Sequence, residues 1–324
     1  MLTKLRGFLA VALTLATLSL SGALAQDKKL EISEIKVGIL PIAVHAPVFA
    51  AQELGYFEEE GLKVTTQFSV GGAALLPLVI QGQMHIGNVP ISTALQARAQ
   101  NLDIVMIGPG TYIEKSKAPG QTATIVNASA KINKLEDLAG KKVAVNVINS
   151  VNWLYNRALL EKAGVNLKTV TYVELPFPNM VDAVVHGHVD AAAIVQPFLH
   201  FGNASGKVRV IGYDFLDVQP ALQVSGFAVS RRWAQSNPNT LAAFERAVAR
   251  AVDYLMADEV KARPLIAKFT KSKPEVIEGS GVPSWTNELS VANIDAQMQL
   301  MVKHGLLSKP QNIDSLIWKS GPRQ

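Results

Sequence analysis

The 324-residue chain contains no cysteine, which excludes disulfides, thiolate nucleophiles, cysteine metal ligands and attachment of a lipid to a thiol. Charge is sparse as well. Asp, Glu, Lys and Arg make up 18% of residues, and the formal net charge is +5, of which Lys4 and Arg6 at the extreme N-terminus supply two. Basic residues stand singly or in pairs (Lys28-Lys29, Lys141-Lys142, Arg231-Arg232) without interleaved aromatics, so no nucleic-acid partner is expected. The patterns G-x-S-x-G, G-x-x-x-x-G-K-S/T and G-x-G-x-x-G are absent, so no enzyme and no cofactor are expected. The six histidines lack a third ligand at metal spacing. His186 and His188, which flank Gly187 at a helix stop, are read as solvated, and no metal is expected.

What is present begins with a leader. Lys4 and Arg6 precede an apolar run from Phe8 to Leu20, which ends at Ala23-Leu24-Ala25. The run is short of the roughly 20 residues that span a bilayer, and the small-residue end suits a signal peptidase. Residues 1–25 are therefore read as a signal peptide cleaved before Gln26, with the mature chain free in the periplasm.

The full 324-residue chain is 48% apolar, enough for two cores. It is organised by an internal echo: Lys63 to Pro90 and Thr169 to Phe198 each read strand, short Gly/Pro segment, helix, Gly, strand, Pro. Gly82 matches Gly187 as a left-handed helix stop, His85 stands where Asp190 stands, and Pro90 and Pro197 each open a helix. Two such units predict an α/β protein of two lobes, each a mostly parallel sheet flanked by helices. Ligands of such sheets bind beyond the carboxyl ends of the strands. The expected boundaries are 26–127 with 216–324 for lobe 1 and 128–215 for lobe 2. The two crossings between them would form a hinge.

Several residues stand out within that frame. Ile35 to Leu40 is a first strand, and His45 lies in the loop beyond its carboxyl end, where it is read either as a cleft contact or as a capping or surface residue. Gly71 and Gly72 open a helix whose first amides are unpaired and whose backbone a ligand can approach closely. Asn149-Ser150 caps the helix Val151 to Ala163. Trp153 near that cap is a candidate to stack a ligand ring, whereas Tyr155 is read as core. Trp285, in an irregular Pro/Ser/Thr segment, is read as either a lid or a plug beneath the lobe interface.

The segments GYFEEEGLKV, GGAALLPLVIQGQMHIG, LEDLAGKKVAV, LLEKAGV, VELPFPNMVDAVVHGHVDAA and QPF occur in that order. Together they resemble the periplasmic solute-binding proteins of the nitrate/sulfonate/taurine ABC importers, a family that includes binders of the thiamine pyrimidine precursor. The resemblance is close over Ile35 to Phe198 and loose in the C-terminal third. It implies a periplasmic binding protein fold, capture of a small organic solute, an ABC permease with its ATPase as partners, and a monomer. It also implies polar ligand contacts at His45, Gly71, Gly72, Ser92, Thr111, Tyr112, Ser150, Val151 and Asn152, with Gln196 in the QPF element. Three positions depart from the family pattern: Gln196 replaces an acid, His85 an Asp, and Asn149-Ser150-Val151 a Gly-Ser-Thr. The implied set has no Arg or Lys. Helix starts can hold an anion without one, so a sulfonate and a neutral heteroaromatic such as a thiamine pyrimidine precursor both stay open, as does a periplasmic sensor role. Fungal thiamine-pyrimidine synthases share the fold but carry a cysteine-rich motif, which this chain does not have.

Overall fold

The computed structural model describes residues 29–69, 72–115 and 120–319. The leader read over 1–25 and the candidate Gly71 lie outside the described residues. Eleven strands are described: β1 Glu34–Ile39, β2 Lys63–Phe68, β3 Ile86–Pro90, β4 Ile104–Ile113, β5 Thr122–Asn127, β6 Lys142–Val145, β7 Thr171–Glu174, β8 Ala191–Val195, β9 Val208–Gly212, β10 Gln223–Ser230 and β11 Ser284–Thr286. They form two sheets, one ordered β11-β4-β10-β3-β1-β2 and the other β7-β6-β8-β5-β9.

The echo in the sequence is a structural repeat. In the first sheet β1 pairs in parallel with β2 and β3, and in the second β6 pairs in parallel with β7 and β8. Each sheet then takes in an inserted strand antiparallel to both its neighbours, β10 between β3 and β4 and β5 between β8 and β9, and the first sheet adds β11 antiparallel to β4 at its edge. Most strands of each sheet thus run one way, and the inserted strand is the one with which the chain enters that sheet from the other. Gly82 and Gly187 have φ of 72° and 73°, a region in which a Cβ is disfavoured, so each lets its helix stop and the chain turn into the next strand.

One boundary moves. The strand Thr122–Asn127, placed in lobe 1 on the sequence, pairs with β8 and β9 of the second sheet, from Thr122↔Val195 to Asn127↔Val208. Its residues, TATIVN, suit a buried strand in either lobe, so local propensity cannot assign it and the pairing partner does. The first crossing therefore falls between Ile113 and Thr122, and the second between Gly212 and Gln223. Both begin at the end of a strand that runs with the majority of its sheet. The carboxyl edges of the two sheets therefore face each other.

Helices cover both faces of each sheet. Helix Gly72–Ile80 sits so close on the first that a Cβ at Gly38 would lie 2.4 Å from Met84 Sδ and 2.5 Å from Leu75 Cδ2. On the opposite face the helix Pro238–Ala257 buries Leu241, Phe244, Val248, Ala251, Val252 and Leu255, the positions that recur at three and four in the sequence. In β8, Ala192 and Ile194 pack beneath Met180 and Val184, whereas Ala191 joins Leu138 and Leu160 on the other face, the period-2 alternation of a sheet with both faces covered. The large core of the first lobe continues into the second through Val145, Val151, Trp153, Leu154, Tyr155 and Ala193. The two edges are thus pressed together by apolar contact. Among the described residues no helix is long and apolar enough to cross a membrane.

Candidate ligand-binding cleft

Four features build the region between the facing edges. Beyond β1, the His45 ring folds back so that its Nδ1 accepts the Leu40 amide at 2.7 Å. Burial pushes its pKa down to about 4, and the amide, being a donor, requires a bare ring nitrogen, so the imidazole is neutral. Asn88, two residues before the carboxyl end of β3, rests beside the ring. Its side chain is 1% exposed, and the only polar group recorded against its carboxamide among the described residues is the His45 imidazole. Trp285 is a plug, not a lid: it is buried, its β11 pairs with β4, and its Nε1 donates to the Val44 carbonyl at 2.7 Å.

Beyond β3, helix Ile91–Ala99 starts with Ser92 buried in its first turn, and the Ser92 hydroxyl has no hydrogen bond among the described residues. One turn further along, Gln96 donates across the lobes to the Asn149 carbonyl at 3.2 Å. This contact brings the second turn of helix Ile91–Ala99 against the residue that precedes the lobe 2 helix cap. There Ser150 caps helix Val151–Lys162 by accepting the Trp153 amide at 3.3 Å, the serine cap expected from the sequence. Asn146, just past β6, accepts from Ser150 Oγ at 3.1 Å and from Asn152 Nδ2 at 3.3 Å. Ser150, Val151 and Asn152 thus belong to one neighbourhood with Asn146, while Ser92 lies one turn before Gln96 on the facing helix and Gly72 opens helix Gly72–Ile80 beyond β2.

The other candidates have partners within the protein. Thr111 Oγ1 donates to the Gly108 carbonyl at 2.8 Å. Gln196 donates to the Gly120 carbonyl at 2.9 Å and accepts the His200 amide at 3.0 Å, so its carboxamide holds the first crossing to the start of helix Phe198–Ala204. Tyr112 donates its hydroxyl to the carboxylate of Glu114, which also accepts the amides of Gln121 at 2.9 Å and of Thr122. Glu114 therefore closes the first crossing from the last turn of lobe 1 to the first strand of lobe 2. Burial raises its pKa to about 7 and that of Tyr112 well above its ordinary value. Trp153 is also engaged, edge-on to Tyr172 at 6.0 Å and beneath the Arg157 guanidinium at 4.6 Å.

The sequence reading missed Asn88, Gln96, Asn146 and Glu114. A signal existed for Asn88, a lone carboxamide in the strand IGNVP whose counterpart in the echo is Ala193. For the others, nothing in their local pattern distinguishes them from surface polar residues.

Comparison with known proteins agrees with this geometry. The model of the NMT1/THI5-like family matches residues 42–262. The chain belongs to the NMT1/THI5-like family. The chain is 27% identical over 195 residues to the taurine-binding periplasmic protein of Escherichia coli strain K12, covering 59% of this chain and 57% of that protein. It is 23% identical over 229 residues to a 4-amino-5-hydroxymethyl-2-methylpyrimidine phosphate synthase of Aspergillus parasiticus, covering 67% and 65%. The matches span less than two thirds of the length of either relative. In three dimensions the NMT1/THI5-like chain superposes on the periplasmic aliphatic sulphonate binding protein SsuA of Escherichia coli with a TM-score of 0.74, at 20% identity, over 89% of this chain and 98% of that one. The fold is that of the periplasmic binding proteins.

Proposed function

We propose that the protein is the periplasmic substrate-binding component of an ABC importer. In this reading it is exported by its N-terminal leader, works as a monomer, closes its lobes on a small organic solute and presents the closed form to a permease and its ATPase. The observation that carries this is the paired architecture: two repeats whose carboxyl edges face across two crossings, with Gln96 of one lobe bonded to Asn149 at the helix cap of the other. Unpaired amides at helix starts suit the oxyanion of a taurine- or sulfonate-like solute.

A second reading of the ligand is favoured by the carboxamides. Asn88, Gln96, Asn146 and Asn152 gather at the facing edges, and no lysine or arginine is among the candidate residues, which suits a neutral heteroaromatic. The synthase reading is disfavoured because the chain has no cysteine, and the site as described offers carboxamides, hydroxyls and a neutral imidazole but no nucleophile paired with a base.

The test is a thermal-shift screen with taurine, an alkanesulfonate, nitrate and 4-amino-5-hydroxymethyl-2-methylpyrimidine. A true ligand at a hundred times its Kd stabilises the folded form by about 2.7 kcal/mol. The reading fails if none of these compounds raises the melting temperature.

A further inference from the structure

Gly279 sits inside helix Pro274–Ser280, without the positive φ that fits glycine to a helix stop. A glycine there gives up helix propensity that alanine would supply, so something other than the local backbone accounts for it. The space that a side chain would take is filled from the other lobe. A Cβ on Gly279 would overlap Cε1 and Nδ1 of the His200 ring and lie 3.0 Å from its Nε2. His200 belongs to helix Phe198–Ala204, whose Leu199 is buried in the core of lobe 2, whereas Ile277, two residues before Gly279, is buried in the core of lobe 1. Knob and socket are thus fixed in different lobes. Both elements also hold the first crossing, at consecutive residues: Gln196, which accepts the His200 amide, donates to the Gly120 carbonyl, and Gln121 donates to the carbonyl of Ser280 at 2.9 Å. A rotation of the lobes about that crossing therefore moves ring and socket against each other.

Resting on the binding-protein reading above, we propose that His200 and Gly279 are positioning residues for solute capture: the lobes reach the arrangement seen here because residue 279 has no side chain to hold the ring, and lobe 2 with it, away. Neither residue needs to touch the solute. A solute that binds the closed form has its apparent affinity scaled by the population of that form, so the size of residue 279 tunes affinity through the arrangement of the lobes.

The absence of cysteine permits a direct test. Spin labels are attached at Gln67→Cys and Thr171→Cys, exposed positions in β2 and β7, the edge strands farthest along each sheet from the crossings. The distance between them is measured without any solute, so a screen in which no compound binds bears on the importer reading alone. In the labelled protein Gly279→Ala should shift the distance distribution to longer values, and adding His200→Ala should return it to that of the labelled parent. An unchanged distribution in Gly279→Ala would mean that the ring swings aside without moving the lobe, and overturns the proposal. A shift that His200→Ala does not reverse also overturns it, since the cause then lies within the helix. If Gly279→Ala does not fold, the double variant decides: recovery of folding with the parent distance supports the contact, and failure to recover overturns it.

Discussion

His85 and Asp190 show how one backbone need can be met by two different side chains. His85 Nδ1 accepts the Lys36 amide at 3.0 Å at the start of β1, and Asp190 Oδ2 accepts the Lys142 amide at 2.8 Å at the start of β6. The residue that departs from the family's aspartate therefore keeps its acceptor role, and it stacks on Trp233 with ring centroids 5.5 Å apart. His85→Asp should leave the melting temperature nearly unchanged, whereas His85→Leu should cost about 1 kcal/mol through the lost bond, read by urea unfolding. His45 supports a pH prediction. Its folded pKa, about 4, lies below the ordinary histidine value of 6.5, so the stability it contributes is complete above pH 6.5 and is lost as pH falls through 4. Its ring signals in an NMR titration should stay those of the neutral form down to pH 5; protonation near pH 6.5 would mean that the ring is solvated. At the cleft, Asn152→Ala removes one of the two donors to Asn146 and a carboxamide at a helix start. Affinity for the ligand found by the screen should drop about fivefold to a hundredfold, while Asn166→Ala, which affects only a cap at the far end of that lobe, should leave binding as it was.

At the scale of elements, two contacts decide how sheet and helices meet. Helix Gly72–Ile80 lies on Gly38 and Gly87 because neither has a side chain, and Met84 and Leu75 occupy the space that a Cβ at Gly38 would take. Gly38→Ala should destabilise lobe 1 by about 1 to 3 kcal/mol through overpacking, measured by chemical unfolding; a variant as stable as the wild type would show that the helix can shift at no cost. The second contact is the set of carboxamides along the second crossing. Tyr155 donates its hydroxyl to Gln219 at 2.7 Å, and Gln219 Nε2 donates to the side chain and the carbonyl of Asn293, each at 3.0 Å. This ties the first helix of lobe 2 to helix Val291–Lys303 of lobe 1. The ion pair between Lys303 and Glu161 at 2.6 Å spans the same two helices, but it is largely exposed and adds little.

Across the whole molecule, both crossings carry a buried carboxylate. Glu114 follows β4, and Asp214, which follows β9, accepts from Thr124 at 2.6 Å and from Asn156 at 2.9 Å. Burial raises both pKa values, to about 7 and about 6. Since these lie above the unfolded values, their contribution is fully present below pH 4 and disappears as pH rises through 6 to 7. The melting temperature of the wild type minus that of Glu114→Gln should therefore decrease from pH 5 to pH 8. A difference independent of pH would place the Glu114 proton elsewhere.

Much of this architecture follows from the sequence alone. The echo around Gly82 and Gly187, the serine cap at Ser150 and the apolar spacing of Pro238–Ala257 are local patterns, and a local pattern dictates a strand, a stop or a buried stripe whatever surrounds it. The sheet that β5 joins is not local, since TATIVN is equally stable as a strand in either. Nor are the partners of Thr111, Tyr112 and Gln196: a hydroxyl or carboxamide beyond a strand end is as able to bond Gly108, Glu114 or Gly120 as a ligand, and only the packed chain brings one of these within 3 Å. The burial of the Asn88 carboxamide against His45 is likewise a product of tertiary structure. Its type and its alanine counterpart stand in the sequence, but burial is a property of the surroundings, and it is packing from distant parts of the chain that makes them.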